Sequence, residues 1–427
     1  MATNAPLTLY RILFGLLMLV ESWGAIATGW VNSAFVEPRW TFPLRGFEAL
    51  RVLSGPWMLG YFAAMGCAAL GVTLGWRYRW SAATLAVLWT GAYLAQKSHY
   101  NNHYYLAVIL CWLMAFLPAH RDRSLDVRSG RVQRQVTCPA WIHRVFRVQL
   151  LIVFTYAAVN KFYPGWLNGD YLRLNLGSKG DRWPLGALVV KPWFQTFTIY
   201  AAIVFDAVVI PCLMIKRTRW WAFAGLVGFN LFNSIVFRIG IFPYMVIATT
   251  VFFFVDLFRS TPPGEESVAG GDPLRGLHVA VGVLMAVQLV LPLRHHLIPG
   301  DVTWTEEGHR MSWRMMLRSK SGVIMLDAKD GASGRRWTVP LQKFVGPRQL
   351  SRVAVNPEFL YQLVQILKEH YRAEGVSELE LRAGYSAVSL NGNPAAPLYD
   401  PAVDLTRVRW SFLGRDDWVL DAPRAPK

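Results

Sequence analysis

The chain is built from long apolar runs broken by short polar stretches. Runs near Thr8–Trp30, Pro56–Gly75, Trp80–Gln96, Tyr104–Pro118 and Arg144–Asn160 are followed by four more near Gln195–Ile215, Trp220–Val236, Ile241–Leu257 and Leu277–Leu293. Most approach the ~20 residues that a helix needs to cross a bilayer with every backbone polar group paired inside it. Trp and Tyr crowd the run ends, as at Trp76, Tyr78, Trp80 and Trp220, Trp221, where interfacial anchors belong. After Pro299 the pattern changes. "GVIMLDA", "RRWTVPL" and "AVSLNG" read as short strands, and "NPEFLYQLVQILKEHYRAEG" reads as one amphipathic helix that starts after Asn356-Pro357 and stops at Gly375. The predicted fold class is a polytopic α-helical membrane protein of about 8–9 spans, with a membrane domain over residues 1–298 and an extramembrane α+β, strand-rich domain over 299–427.

Composition agrees with that reading. The 427 residues are 53% hydrophobic and 17% charged, with 19 Trp, a balance suited to lipid rather than water. The formal charge of +17 fits loop Lys and Arg facing anionic headgroups. No basic stripe interleaved with exposed aromatics speaks for nucleic acid. "WRYRW" (76–80), "HRDRSLDVRSGRVQRQ" (120–135), "KRTRW" (216–220) and the segment around Arg259 form one basic side. The positive-inside rule makes that side cytoplasmic and the C-terminal domain extracytoplasmic. "STPPGEESVAGGDP" (260–273) then reads as a cytoplasmic loop, and the first apolar run as a retained anchor. Cys67, Cys111, Cys138 and Cys212 lack metal-ligand spacing and read as small buried hydrophobes, so no metal is expected.

Three polar clusters interrupt the apolar sequence: Gln96 to Leu106, Asn160 to Leu172 and Phe229 to Pro243. All three are expected on the side of the C-terminal domain, and polar groups at membrane depth tend to line cavities. Lys161 closes an apolar helix. It is either a lysine snorkelling to the headgroups or a dehydrated amine available as a base. His103 is either a proton carrier or a polar cap. Asn102, Asn230 and Asn233 read as interhelical hydrogen-bond partners or ligands, and Arg238 as an anion clamp or an interface marker. Asp206, an uncompensated acid in its own helix, is expected to pair with a base on a neighbour.

"KSHYNNHYYL", "AAVNKFYPGWLNGDYL" and "FNSIVFRIGIFPYMVIA" closely resemble three stretches of the vitamin K-dependent gamma-glutamyl carboxylase family, whose membrane part belongs to the HTTM group. "HRMSWRMMLRSKSG", "KDGASGRRW" and "YDPAVDLTRVRWSF" are similar to the family's luminal part, so the resemblance covers nearly the whole chain. It implies an enzyme of the carbon–carbon lyase class. Its co-substrates would be vitamin K hydroquinone or menaquinol, O2 and CO2, and its partners the membrane, the quinone and a glutamate-containing peptide or protein. A lysine deprotonates the hydroquinone, oxygenation generates a strong base, a glutamate loses its gamma proton and captures CO2, and the quinone leaves as its epoxide. Lys161 matches the family's base. His103 matches its histidine for glutamate deprotonation and carboxylation, with Asn102 beside it.

The departures from the family pattern are informative. Asn230 stands where the animal enzymes have histidine, and Arg238 replaces a small polar residue. Trp313 and Met315 are kept in the glutamate-binding stretch, while His309 stands for an aromatic, Arg314 for an acid and Arg318 for a histidine. Arg310, Arg314 and Arg318 recur every four residues, and on a helix they would form one cationic face able to receive a carboxylate. A bacterial inner-membrane relative is expected. Two rival readings stay open: a quinol epoxidase without peptide carboxylation, and a membrane transporter or lipid-handling protein.

Overall fold

The computed structural model describes residues 1–258, 275–411 and 417–423; the 260–273 loop and Arg259 fall outside them. Each predicted apolar run forms a helix. In chain order these are α1 (Ala5–Ala27), α2 (Met58–Leu74), α3 (Tyr78–Ala95), α4 (Asn102–Phe116), α5 (Trp141–Val159), α6 (Pro192–Met214), α7 (Arg219–Phe237), α8 (Phe242–Thr249, continued by a 3-10 turn Thr250–Phe253) and α9 (Arg275–Val290). Among the described residues, five helical stretches are long and apolar enough to cross a membrane: α1, α5, α6, α7 and the segment Gly276–Leu297. The apolar helices α2, α4 and Phe242–Phe253 are shorter. Large apolar side chains on the outside, among them Val20, Phe197, Val204 and Val279, are exposed as only a lipid-facing surface allows. The chain is an integral membrane protein.

Local chemistry sets the helix ends that matter. In "YNNH" the Asn101 side chain accepts a hydrogen bond from the Tyr104 amide at 2.7 Å, so α4 starts at Asn102 and His103 sits in its first turn. The α5 helix ends at Asn160, and Lys161 folds back so that its Nζ donates to the Ala157 carbonyl at 2.9 Å.

The basic loops gather at one end of the bundle. Asp126 accepts from the amides of Arg77 and Tyr78 at 2.8 Å each, which joins 76–80 to 120–135. Residues Ala2–Thr3 pair there with Thr137–Cys138.

The C-terminal part docks at the opposite end. Its three-stranded antiparallel sheet has β1 (Lys320–Asp330) between β2 (Arg336–Thr338) and β3 (Leu379–Leu390). Alternation buries Ile324, Leu326 and Ala328 and exposes Val323 and Met325. The register slips between Met325 and Leu326, leaving Gly384 as the extra residue of a bulge. A Cβ at Gly384 would lie 1.9 Å from the Asp327 carboxylate, so a larger residue there requires that side chain to move aside. Helices α10 (Pro347–Val355) and α11 (Pro357–Ala373) complete the layer. Asn356 caps α11 by accepting from the Glu358 amide at 3.1 Å, and Phe359, Leu360, Leu363, Val364, Leu367 and Tyr371 form its buried stripe.

One sequence expectation fails here. Residues 306–319 are not helical: only Val302–Thr305 makes a single turn, and Met311, Trp313 and Met316 hold left-handed backbone. Arg310, Arg314 and Arg318 therefore share no helix face. The membrane helices impose this path. The Met311 amide donates to the Tyr100 hydroxyl (2.6 Å), Asn160 Nδ2 to the Ser312 carbonyl (2.9 Å), and Asn102 Nδ2 to the Arg314 carbonyl (3.1 Å).

Candidate active site

Two chambers meet beneath this clamped segment. The first is largely apolar, walled by Phe154, Trp166, Phe229, Phe232, Phe237 and Phe242, with Lys161, Asp206, Asn230, Asn233 and His103 among its polar groups. Lys161 and Asp206 are hydrogen-bonded to each other, so Asp206 has the basic partner expected of it, supplied by the turn just after α5. Both side chains are buried. Lys161 Nζ also lies 5.2 Å from the centre of the Trp166 ring. A lysine free to snorkel would reach bulk water, whereas this one is tied inward on three sides.

The second chamber, about 250 Å³, is lined by Lys97, Asn102, His103, His309, Arg310, Arg314, Arg318 and Arg352, among others. The three arginines that fail to share a helix thus still converge on one space. Their duties differ. Arg318 pairs with Glu306 (2.6 Å from Nε) and Arg310 with Glu358. Glu358 also accepts from Lys97 Nζ at 2.6 Å. Burial alone would push these carboxyls up, but the neighbouring cations override it: Arg318 and Lys320 bring Glu306 down to about 2, and Arg310 and Lys97 do the same for Glu358. Arg314 donates to Asn160 Oδ1 at 3.1 Å, and its buried Nε has no hydrogen-bond partner. Arg352, on α10, is hydrogen-bonded to none of the described residues. Burial and the arginines around it hold His309 well below the ordinary imidazole range, hence neutral. The net result is a cationic chamber with spare guanidinium donors, the chemistry of a carboxylate site.

His103, Met315 and Met316 line both chambers. The His103 ring packs on Phe242 with centroids 4.6 Å apart and is hydrogen-bonded to the Ile239 backbone. Asn102 anchors the junction, accepting from the Tyr100 hydroxyl at 3.1 Å while holding the Arg314 carbonyl. Asn230 is buried and donates to the Leu226 carbonyl at 2.8 Å.

Two residues of the predicted substrate-binding set lie outside the chambers. Arg238 caps α7 in left-handed backbone and is exposed. Trp313 is fully buried and packs on Tyr105 with ring centroids 5.1 Å apart, as part of the core. Conversely, Lys97, Glu306 and Arg352 line the second chamber, with Glu358 paired to Lys97 beside it, and the sequence singled out none of the four. Lys97 stood inside a quoted polar cluster, but nothing in the sequence shows that its partner lies in the first turn of α11.

Two known family models together cover most of the chain. Residues 2–256 match the model of the HTTM domain, and residues 275–425 match the model of the vitamin K-dependent gamma-carboxylase lumenal domain. The chain belongs to the vitamin K-dependent gamma-carboxylase family. The second match begins at the start of α9, so it takes in an apolar helix that the sequence reading placed with the membrane domain. No solved structure matches the chain.

Proposed function

We propose that this protein is a gamma-carboxylase-like membrane enzyme that oxygenates a reduced naphthoquinone to its epoxide and carboxylates glutamyl residues with CO2. The observation that carries the reading is the pair of chambers of opposite character sharing His103, Met315 and Met316. An apolar, aromatic-walled chamber suits a lipid-borne naphthoquinol, and an arginine-lined one suits a glutamyl carboxylate. The apolar void is about 80 Å³, less than the ~150 Å³ that accommodates one benzene ring. A two-ring guest therefore enters only as the flexible Met315 and Met316 side chains give way.

In its neutral amine form Lys161 accepts a ring-hydroxyl proton at Nζ, and Asp206 stabilises the ammonium so formed while keeping Nζ aimed into the chamber. When bound, the quinol supplies with O2 the strong base that the glutamyl proton requires. The aromatic wall excludes water, which would otherwise quench that base. His103 faces both spaces and serves proton transfer on the glutamyl side. Arg314 and Arg352 hold the carboxylate, since Arg310 and Arg318 are already neutralised by Glu358 and Glu306.

We further propose nine spans, a membrane domain over 1–298 and an extracytoplasmic domain over 299–427, in a bacterial inner membrane. The gathering of the basic loops at the end opposite the docked C-terminal part supports that orientation. The test is incubation of the purified protein with naphthohydroquinone, O2, labelled bicarbonate and a glutamyl peptide. Epoxide with label in the peptide supports the reading. Epoxide without label leaves a quinol epoxidase, which the internal neutralisation of two of the chamber's arginines would favour. Neither product refutes both.

A further inference from the structure

A third cavity, about 320 Å³ and larger than either chamber, lies across Tyr100 from the arginine chamber. Its walls include Glu21 of α1, Trp30, Trp89 of α3, His99 and Tyr104 of α4. Its mouth runs along the lipid side of α1, where Val20, Gly24 and Thr28 form one stripe four residues apart. A Cβ built on Gly24 meets no atom within 4 Å, so the space beside it is open.

Two polar groups in this aromatic box are unexplained by packing. Glu21 is an acid within an apolar span, held by the Tyr104 hydroxyl, and ionisable groups at that depth are costly unless they serve a ligand or a partner. His99 is buried, Trp30 stands edge-on to it at 5.0 Å between centroids, and its Nδ1 has no hydrogen-bond partner. Burial and then Arg348 and Arg352 push His99 down to about 3, so the ring is neutral. A neutral imidazole leaves Nδ1 as either donor or acceptor, and a phenolic hydroxyl satisfies both cases. An ammonium satisfies only one and would meet the positive field of Arg348. The tryptophan and tyrosine faces suit a flat ring, and the lipid-side mouth suits an apolar tail.

We propose that this cavity is a second quinol site, in which a ring hydroxyl bonds to His99 and Glu21 and the tail leaves between α1 and the lipid. It would hold the co-substrate at the membrane edge, apart from Lys161. The inference rests on the reading that this protein uses a quinol.

The test uses the full chain in lipid nanodiscs and a diazirine-bearing naphthohydroquinone, with adducts mapped by mass spectrometry. The expected result is two adduct groups, one on the segments of Glu21, Trp30 and Tyr104 and one around Lys161 and Phe229. Gly24→Phe, which obstructs the mouth, should lower the first group by about tenfold or more and leave the second unchanged. Excess unlabelled naphthohydroquinone should suppress both groups in the parent protein, a readout that needs no variant. Adducts at Lys161 alone, or first-group adducts that resist competition, overturn the second site and leave the proposed function standing. Adducts only at the Glu21 cavity support the second site and overturn the role of the Lys161 chamber. Adducts at neither site overturn both.

Discussion

Glu358→Gln isolates the charged contact among those that seat the C-terminal part on the membrane helices. Glu358 sits in the first turn of α11 and accepts from Lys97 at 2.6 Å and from Arg310, with side-chain exposures of 13% for the acid, 0% for Lys97 and 15% for Arg310. The amide keeps the shape and removes the charge, leaving two cations facing each other with little water. Breaking a buried pair by neutralising one member costs about 3–5 kcal/mol. Since ~1.4 kcal/mol is a factor of ten, local opening of the junction should rise by roughly two to three and a half orders of magnitude. Hydrogen exchange reads this directly. Amides of residues 97–105 and 306–318 should lose about that much protection, while β1 and β3, which pair with each other, keep theirs. Adding Lys97→Met removes one stranded cation and should recover part of the loss. Unchanged protection at the junction in Glu358→Gln would refute the claim that this ion cluster holds the chambers together.

Three further outcomes follow from the site. Arg352→Ala removes a spare charged donor worth about 1.5–3 kcal/mol; KM for a glutamyl peptide should rise about 10- to 100-fold while quinol epoxidation changes little, and equal loss of both in matched assays would contradict the assignment. His103→Ala should reduce label fixation into peptide more than epoxide formation, and an equal loss of the two would remove the division of labour. Glu306 and Glu358 are held at about 2 in the folded protein, below the ~4.3 of a free glutamate. Their contribution to stability is therefore complete above about pH 4.3 and disappears as pH falls through about 2. Protease sensitivity of the junction should stay flat down to pH 4.3 and rise below it; a rise beginning near pH 6 would contradict the cation-paired state of both acids.

Much of the architecture was legible because periodicity and length report directly on burial. The predicted apolar runs coincide with helices to within a few residues, and α11 begins and ends at the cap and the glycine that marked it. The site was legible only in part. Lys161, His103 and Asn102 stood out as polar residues at the ends of apolar runs and, with Met315, in the motif resemblance; the structure puts Lys161 in the apolar chamber, Asn102 in the cationic one, and His103 and Met315 on the wall between them. The partner of Asp206 could be anticipated as a base in kind but not in identity, because helix packing rather than local sequence brings Lys161 to it. The cationic face failed for a physical reason. Spacing of four suggests a helix, but tertiary hydrogen bonds, accepted by Tyr100 and donated by Asn102 and Asn160, hold the segment in left-handed turns that non-glycine residues rarely adopt unaided. Arg352 was invisible because it is an exposed guanidinium on a surface-patterned helix, and only the fold shows that it borders the arginine chamber.

The decisive measurement is hydroquinone-dependent epoxide production by Lys161→Ala beside the parent, both purified in nanodiscs. Asp206→Ala is paired with it as Lys161→Ala/Asp206→Ala, so that a stranded acid is not mistaken for lost chemistry. The account predicts that both variants remain folded, as judged by unchanged hydrogen exchange in β1 and β3, yet form no epoxide above the enzyme-free background. Epoxide formation at the parent's rate in either variant would contradict it, because the buried amine would then not be the group that takes the quinol's proton.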